Sequence, residues 1–261
     1  MNEANIKQCG EQLYKALRSG NTIKPLTEVF PDMTIDDAYQ VSLHLNELRL
    51  ADGERVIGKK IGVTSKAVMN MLKVGQPDFG FLTDKMVFSE GEEVPISANL
   101  IQPKAEGEIA FILKDDLLGP GITAADVLAA TDFVMPAIEV VDSRIEDWKI
   151  KIQDTVADNA SCGVFVLGDR AVNPRDVDLS TCGMVVEKNG AIVSTGAGAA
   201  ALSSPVNCVA WLANTLGAYG IALKAGEVIM SGSLVPLEPV QAGDSMRVSV
   251  GGIGSVSARF V

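Results

Sequence analysis

Lys104-Ala-Glu-Gly-Glu-Ile-Ala-Phe-Ile-Leu113 is the stretch on which the fold turns. Its apolar second half reads as a strand entering the interior, yet Glu106 and Glu108 stand at its start. Strand side chains alternate faces, so a spacing of two puts both carboxylates on one face, within reach of one ligand. A second apolar run, Phe133-Val-Met-Pro-Ala-Ile-Glu-Val-Val141, carries a third carboxylate, Glu139. Acidic residues are depleted in strands, and burying several ionised carboxylates together is prohibitive unless a cation compensates them. Three carboxylates with no Cys or His nearby describe a hard-cation site, with Mg²⁺ or Mn²⁺ favoured over zinc. A solvated edge strand is the better explanation of a lone Glu-x-Glu, since Glu is seldom buried unpaired. The apolar flanks and Glu139 bring the two explanations level, and spacing alone does not choose between them.

Outward from these strands the texture is short strands, glycines and turns. Val56-Ile57 leads into Gly58-Lys-Lys-Ile-Gly-Val-Thr64, and Gly163-Val-Phe-Val-Leu-Gly168 is a strand. Met184–Glu187 and Ala191–Thr195 flank Lys188-Asn-Gly190, where Asn-Gly signals a hairpin. Met246–Val250 and Ser255–Phe260 pair around Gly251-Gly-Ile-Gly254. Thr123-Ala-Ala-Asp126 caps a short helix that passes into the Glu139 strand, and Ser204-Pro205 opens a helix to about Leu216. The N-terminal part differs. A helix from about Glu3 to Arg18 stops at Ser19-Gly20, and Thr34-Ile-Asp-Asp37 starts a second that runs to about Ala51, with Ile35, Ala38, Tyr39, Leu45 and Leu48 in its buried stripe. The division expected is a helical segment over 1–54 and a second domain over 55–261. Frequent strands and few, irregularly placed helices argue for an α+β fold built on a mixed β-roll or barrel, not a doubly wound sheet.

The totals narrow the partners. With 261 residues, 47% of them hydrophobic, there is ample material for a packed core. A net charge of -11 disfavours nucleic acid and anionic membrane surfaces. It leaves a small anionic substrate open, because a bound divalent cation inverts the local field. No apolar run reaches transmembrane length and the first residues do not resemble a signal peptide. The four cysteines, Cys9, Cys162, Cys182 and Cys208, lack metal-type spacing and read as buried thiols of a reducing cytoplasm. The single histidine, His44, falls in a helix, which argues against histidine-based zinc or Ser-His-Asp chemistry. Gly196-Ala-Gly-Ala-Ala-Ala-Leu202 lacks the Lys-Ser/Thr of a P-loop and reads as small-residue packing or a loop.

Three further residues are candidates for chemistry. Lys60 lies between Gly58 and Gly62, which allow close backbone approach; a surface lysine is the ordinary alternative. Near a cation, a partly desolvated lysine can stabilise oxyanion charge or shuttle a proton. Asp78, in Gln76-Pro-Asp-Phe-Gly-Phe-Leu82, reads as a turn residue that could also serve as an acid or base over a pocket. Asp158-Asn-Ala-Ser-Cys162 offers hydroxyl, amide and backbone donors suited to a carboxylate, though a polar turn has the same composition.

Taken in order, Gly58-Lys-Lys-Ile-Gly62, Gln76-Pro-Asp-Phe-Gly80, the Glu106/Glu108 pair, Glu139-Val-Val-Asp-Ser-Arg144, Val156-Ala-Asp-Asn-Ala-Ser161 and the Gly196 stretch resemble one family across essentially the whole chain. It is the 2-oxopent-4-enoate (2-hydroxypenta-2,4-dienoate, or vinylpyruvate) hydratases of aromatic meta-cleavage pathways, which have a fumarylacetoacetase-like fold. The resemblance implies Glu106, Glu108 and Glu139 as ligands of Mg²⁺ or Mn²⁺, Lys60 and Asp78 at catalytic positions, and Ser161 in the substrate-binding loop. It also implies a homo-oligomer and association with 4-oxalocrotonate decarboxylase. Acylpyruvate hydrolysis is disfavoured, since such hydrolases recruit a His/Glu pair and only His44 is present. The decarboxylases share the fold, the glutamates and the Val-Ala-Asp-Asn-Ala-Ser loop. Asp78 points to the hydratase branch, because the decarboxylases have an apolar residue there. The expected activity is hydration to 4-hydroxy-2-oxopentanoate. Decarboxylation of 4-oxalocrotonate, or a subunit that stabilises such a decarboxylase, is the alternative.

Overall fold

The computed structural model describes residues 1–261, the side chains of Met71, Leu72 and Asn99 excepted. The helical start comprises α1 (Glu3–Ser19), α2 (Leu26–Val29) and α3 (Ile35–Ala51). Then follow β1 (Val56–Gly62), α4 (Lys66–Leu72), β2 (Asp78–Thr83), β3 (Val87–Ser89), β4 (Glu93–Val94) and α5 (Ile96–Asn99). The middle of the chain is β5 (Lys104–Leu113), α6 (Ala124–Ala130), β6 (Thr131–Val141), α7 (Ile152–Ala157) and β7 (Cys162–Leu167). The last part is β8 (Gly183–Lys188), β9 (Ala191–Ala197), α8 (Pro205–Gly217), β10 (Val228–Met230), β11 (Glu238–Pro239), β12 (Ser245–Val250) and β13 (Gly254–Phe260).

Local sequence accounts for most boundaries. Gly20 ends α1 at φ 68° and returns its N–H to Ala16 O. Thr34 and Asp37 form the expected capping box on α3. Asn189 and Gly190 both have positive φ, as a two-residue hairpin turn between β8 and β9 requires. Ser204 occupies the N-cap of α8, but its side chain makes no capping bond; Pro205 in the first turn marks the start. The stripe on α3 differs from the expected one. Ala38, Tyr39 and Leu45 are buried, while Ile35 and Leu48 are only half-buried. Ser42 and Arg49 take buried places on that helix, Arg49 by bonding Glu54 Oε2 and Thr83 Oγ1. Polar residues on a core face erase the 3.6-residue pattern from which such a stripe is read.

An eight-stranded sheet in the order β2-β1-β10-β5-β6-β7-β3, with β11 added on β5, curls around one set of side chains. Leu82, Met86, Ala110, Ala137, Cys162, Phe165, Val228 and Met230 pack together on its concave face. The Asn159 carboxamide, bonded to Phe81 N and Phe81 O, spans from the loop before β7 to the free edge of β2, so the sheet nearly closes on itself. The second sheet, β4-β13-β12-β8-β9, covers the convex side of β5 and β6. There Ile109, Phe111, Ile138 and Val140 meet Met184, Val186, Val248 and Val256 in the main core. Gly107 faces this sheet, and a side chain in its place would strike Met184 and Val248. Alternation along β5 then sends Glu106 and Glu108, on either side of Gly107, to the concave face.

Candidate active site

Four strands aim ionisable groups at one mouth of the curled sheet. In the β5–β6 ladder Glu106 lies opposite Glu139, and Glu108 follows two residues on along the same face. Ligand oxygens of the three carboxylates lie within 4.8 Å of one another. From the other flank, Lys60 pairs with Gly80 and Gly62 with Asp78 across β1 and β2, so Lys60 and Asp78 share that face. Lys60 Nζ stands 3.2 Å from Glu139 Oε1. Gly62 has to be small: a Cβ there would overlap Asp78 Oδ1 and approach Lys60 Nζ to 3.2 Å. Lys60, Asp78, Glu108 and Glu139 are each 3% exposed or less, and Glu106 is half-buried. Burial on central strands excludes a solvated edge for the glutamates and a surface position for Lys60. Asp78 is the first residue of β2 and not a turn residue: register with Gly62 draws it into the sheet.

Burial of these groups sets their electrostatics. Burial raises Glu106 to about 8, helped by the negative charge of Glu139 and opposed by Lys60 and the Ser233 hydroxyl. Glu108 is pushed well above the carboxylate range by burial and by the charges of Glu139 and Glu106. Burial also raises Asp78, against the pull of Lys60. For Lys60 burial acts downward, but the facing carboxylates, Glu139 first, outweigh it and raise the ammonium. Glu108 Oε1, both oxygens of Glu139 and Asp78 Oδ1 are buried without a hydrogen-bond partner. Lys60 supplies one positive charge, at Glu139 Oε1, but buried carboxylate oxygens without a hydrogen bond are costly, and the acids outnumber that single ammonium, so they point to a further cation. Three convergent carboxylates, two of them with free oxygens, and no sulfur or imidazole donor among them fit a hard divalent cation.

Ser161 lies on a backbone held in an unusual conformation. Asn159, Ala160 and Ser161 have φ of 53°, 51° and 52°, a left-handed turn that non-glycine residues rarely adopt. Arg144 supports it, with Nε on Asp158 Oδ1, one terminal nitrogen on Cys162 O and the other on Asp158 O. The Ser161 hydroxyl is 2.9 Å from Thr155 Oγ1, and Gly80 leaves the room that the Asn159 carbonyl occupies. Burial raises Asp158 to about 6 although Arg144 pulls it down. The sequence reading missed this Arg144–Asp158 knot and the buried Lys59–Glu227 pair, because their partners lie 14 and 168 residues apart with no local pattern. His44 stands away from the cluster with Nδ1 3.1 Å from Glu47 Oε2.

The model of the fumarylacetoacetate (FAA) hydrolase C-terminal family matches residues 56–261, and the chain belongs to that family. It is 70% identical over 222 residues to a 2-hydroxypent-2,4-dienoate hydratase of Pseudomonas putida, covering 85% of this chain and 100% of the relative. It is 59% identical to a 2-hydroxyhexa-2,4-dienoate hydratase of Comamonas testosteroni, over 98% and 97% of the two chains. Among solved structures, the 4-oxalocrotonate decarboxylase of Pseudomonas putida complexed with magnesium and adipate superposes with a TM-score of 0.96 at 41% identity, covering 100% of this chain and 99% of that one. No helix among the described residues is long and apolar enough to cross a membrane.

Proposed function

We propose that the chain hydrates 2-hydroxypenta-2,4-dienoate to 4-hydroxy-2-oxopentanoate, with Glu106, Glu108 and Glu139 holding Mg²⁺ or Mn²⁺. When bound, that cation supplies Lewis acidity and a template for the substrate carboxylate and 2-oxygen. The observation that carries the hydratase reading is Asp78, a second acid buried beside Lys60 on the carboxylate-lined face. Decarboxylation releases the substrate's own carboxylate and needs no such group, whereas hydration moves protons at remote carbons.

Asp78, whose carboxyl burial pushes above its ordinary value, delivers a proton to C5 as the 2-hydroxyl releases its own to solvent, leaving a conjugated enone. Its carboxylate then takes a proton from the water that adds at C4. The Lys60 ammonium faces the negative charge that gathers on the 2-oxygen, and the proton that the 2-hydroxyl released returns from solvent to C3. C3 and C5 each gain one hydrogen, one from the enol and one from water, so the atoms balance. Ser161, in the strained turn, orients the substrate. Residues 55–261 carry this chemistry, and 1–54 form a helical segment laid against it. Four free, buried cysteines suit a reducing cytoplasm. Association as a homo-oligomer, or with a 4-oxalocrotonate decarboxylase, is part of the same proposal, since chains of such similar fold present similar surfaces.

Likeness to the decarboxylase over the full chain favours one second reading, decarboxylation of 4-oxalocrotonate. One assay separates them: both substrates are offered with Mg²⁺, with Mn²⁺ and with chelator, and products are identified by proton NMR. Chelator-sensitive 4-hydroxy-2-oxopentanoate from the dienoate is the expected result. Carbon dioxide from 4-oxalocrotonate would overturn the role given to Asp78.

A further inference from the structure

Glu108 is held by the main chain. The Gly232 N–H donates to Oε2 at 2.8 Å, while Oε1 is buried with no hydrogen-bond partner. Gly232 belongs to a turn that follows β10 and is sewn to β5 on both sides of Glu108. Ser231 N–H and Oγ–H reach Ile109 O at 3.2 and 2.7 Å, and Leu234 N–H reaches Gly107 O at 3.2 Å. The turn has walls. Gly232 sits at φ +93°, and a Cβ there would come within 2.5 Å of Thr64 Cγ2. Thr64 is buried, and its carbonyl accepts from Leu202 N–H at 3.3 Å. On the other side Gly196 abuts the Leu234 carbonyl so closely that any Cβ would overlap it. Val63, Leu202 and Ser203 all carry positive φ, so the segments that meet at Thr64 are held in sparsely populated conformations.

We propose that the 231–234 turn is the positioning element for Glu108, and that the Gly196–Leu202 stretch exists to hold that turn in place. The inference rests on the cation reading of the three glutamates. One carboxylate oxygen engaged by a backbone donor leaves a single oxygen aimed into the cluster and stops the group from rotating. Partners of this kind orient metal-binding side chains and set affinity. Glycine is required at 232 because an L-residue at φ +93° would rotate the peptide and carry the N–H away from Oε2. Glycine at 196 is required because the Leu234 carbonyl fills the space of a side chain. The small-residue stretch thereby acts on the cluster without touching it.

The test is a calorimetric titration of Mn²⁺ into the chelator-treated full chain, with thermal melting of every variant alongside. Gly232→Ala should raise the dissociation constant on the order of 10- to 100-fold, and Gly196→Ala about 3-fold or more. Gly226→Ala is the control: it also sits at positive φ, +82°, but in open space at a turn away from the cluster. It should lose thermal stability and keep the wild-type affinity. A folded Gly232→Ala that binds as wild type, or a Gly226→Ala that weakens binding as much, overturns the proposal. Should Gly232→Ala not fold, Gly196→Ala decides alone, and unchanged affinity there overturns it equally. Wild-type protein that binds no Mn²⁺ removes the cation reading itself, which separates that failure from a failure of the turn.

Discussion

Lys59 and Lys60 are neighbours in β1, equally buried at 3% exposure, and they point to opposite faces of the sheet. On the convex side the Lys59 ammonium contacts both oxygens of Glu227 and bonds Ala222 O at 3.1 Å. Glu227 is engaged further by Lys224 N–H at 2.8 Å. On the concave side Lys60 faces Glu139 at 3.2 Å, with Asp78 and Glu106 around it, in a group that keeps several carboxylate oxygens unpaired. Burial lowers Lys59, whereas the surrounding carboxylates hold Lys60 above its ordinary value. The difference teaches that burial of a charge does not mark function. A buried charge with every partner supplied is a fastener; one set among unsatisfied groups is poised for something that arrives from outside.

Substituting the two lysines one at a time is the hardest test of that contrast. Lys60→Met should cut kcat of the folded protein by about 10²- to 10⁴-fold. Lys59→Met strands Glu227 and should cost about 3–5 kcal/mol in urea unfolding, while the protein that remains folded turns over normally. Comparable losses of activity in both variants would dissolve the distinction between the two faces. Replacing the whole fastener, Lys59→Met with Glu227→Leu, should recover most of that stability, since a buried ion pair is often no better than an apolar pair of similar volume.

Asp78→Asn sharpens the contrast within the mouth. Hydration should fall about 100-fold or more, while Mn²⁺ affinity stays within about threefold because Asp78 is not among the convergent carboxylates. Equal losses of turnover and affinity would make Asp78 a neighbour of the cation and not a proton carrier.

The smallest effect is a pH dependence confined to the concave face. Burial and the neighbouring carboxylates raise Glu106 to about 8 and push Glu108 well above the ordinary carboxylate range. A folded-state pKa above the unfolded one, about 4.5, favours folding with the proton on. The contribution is therefore complete below about pH 4.5 and is lost as pH rises through about 8. Chelated protein should melt progressively lower between about pH 4.5 and about pH 8. A cation must displace those protons, so its affinity should rise over the same window and its binding should release protons. Melting curves with and without Mg²⁺ should spread apart by a few degrees as pH rises. A constant gap would mean that the glutamates are already ionised.

How far local sequence carries depends on the element. The helix boundaries at Gly20 and Thr34, the Asn189-Gly190 hairpin and the strands around Glu106 and Glu139 follow from residues near one another in the chain. Asp78 is the instructive error. Pro77 before it suggests a turn, yet its backbone pairs with Gly62 as a strand, because a partner sixteen residues earlier supplies the ladder. The stripe on α3 is blurred for a related reason: Arg49 is buried on account of Glu54 and Thr83, and Thr83 is remote in sequence.

The sequence by itself determined that Glu106 and Glu108 share a face, that Gly58 and Gly62 permit close approach on either side of Lys60, and that the chain is a mixed sheet with a helical start. Two-residue alternation and turn chemistry are properties of a few consecutive residues, and they survive any tertiary arrangement. Only the tertiary structure decided which face was inside, that Glu139 stands opposite Glu106, that Lys60 and Asp78 arrive from the far flank, and that Gly232 holds Glu108 from a turn 124 residues away. Those relations depend on strand register and on the curl of the whole sheet, which are set by packing between segments far apart in the chain.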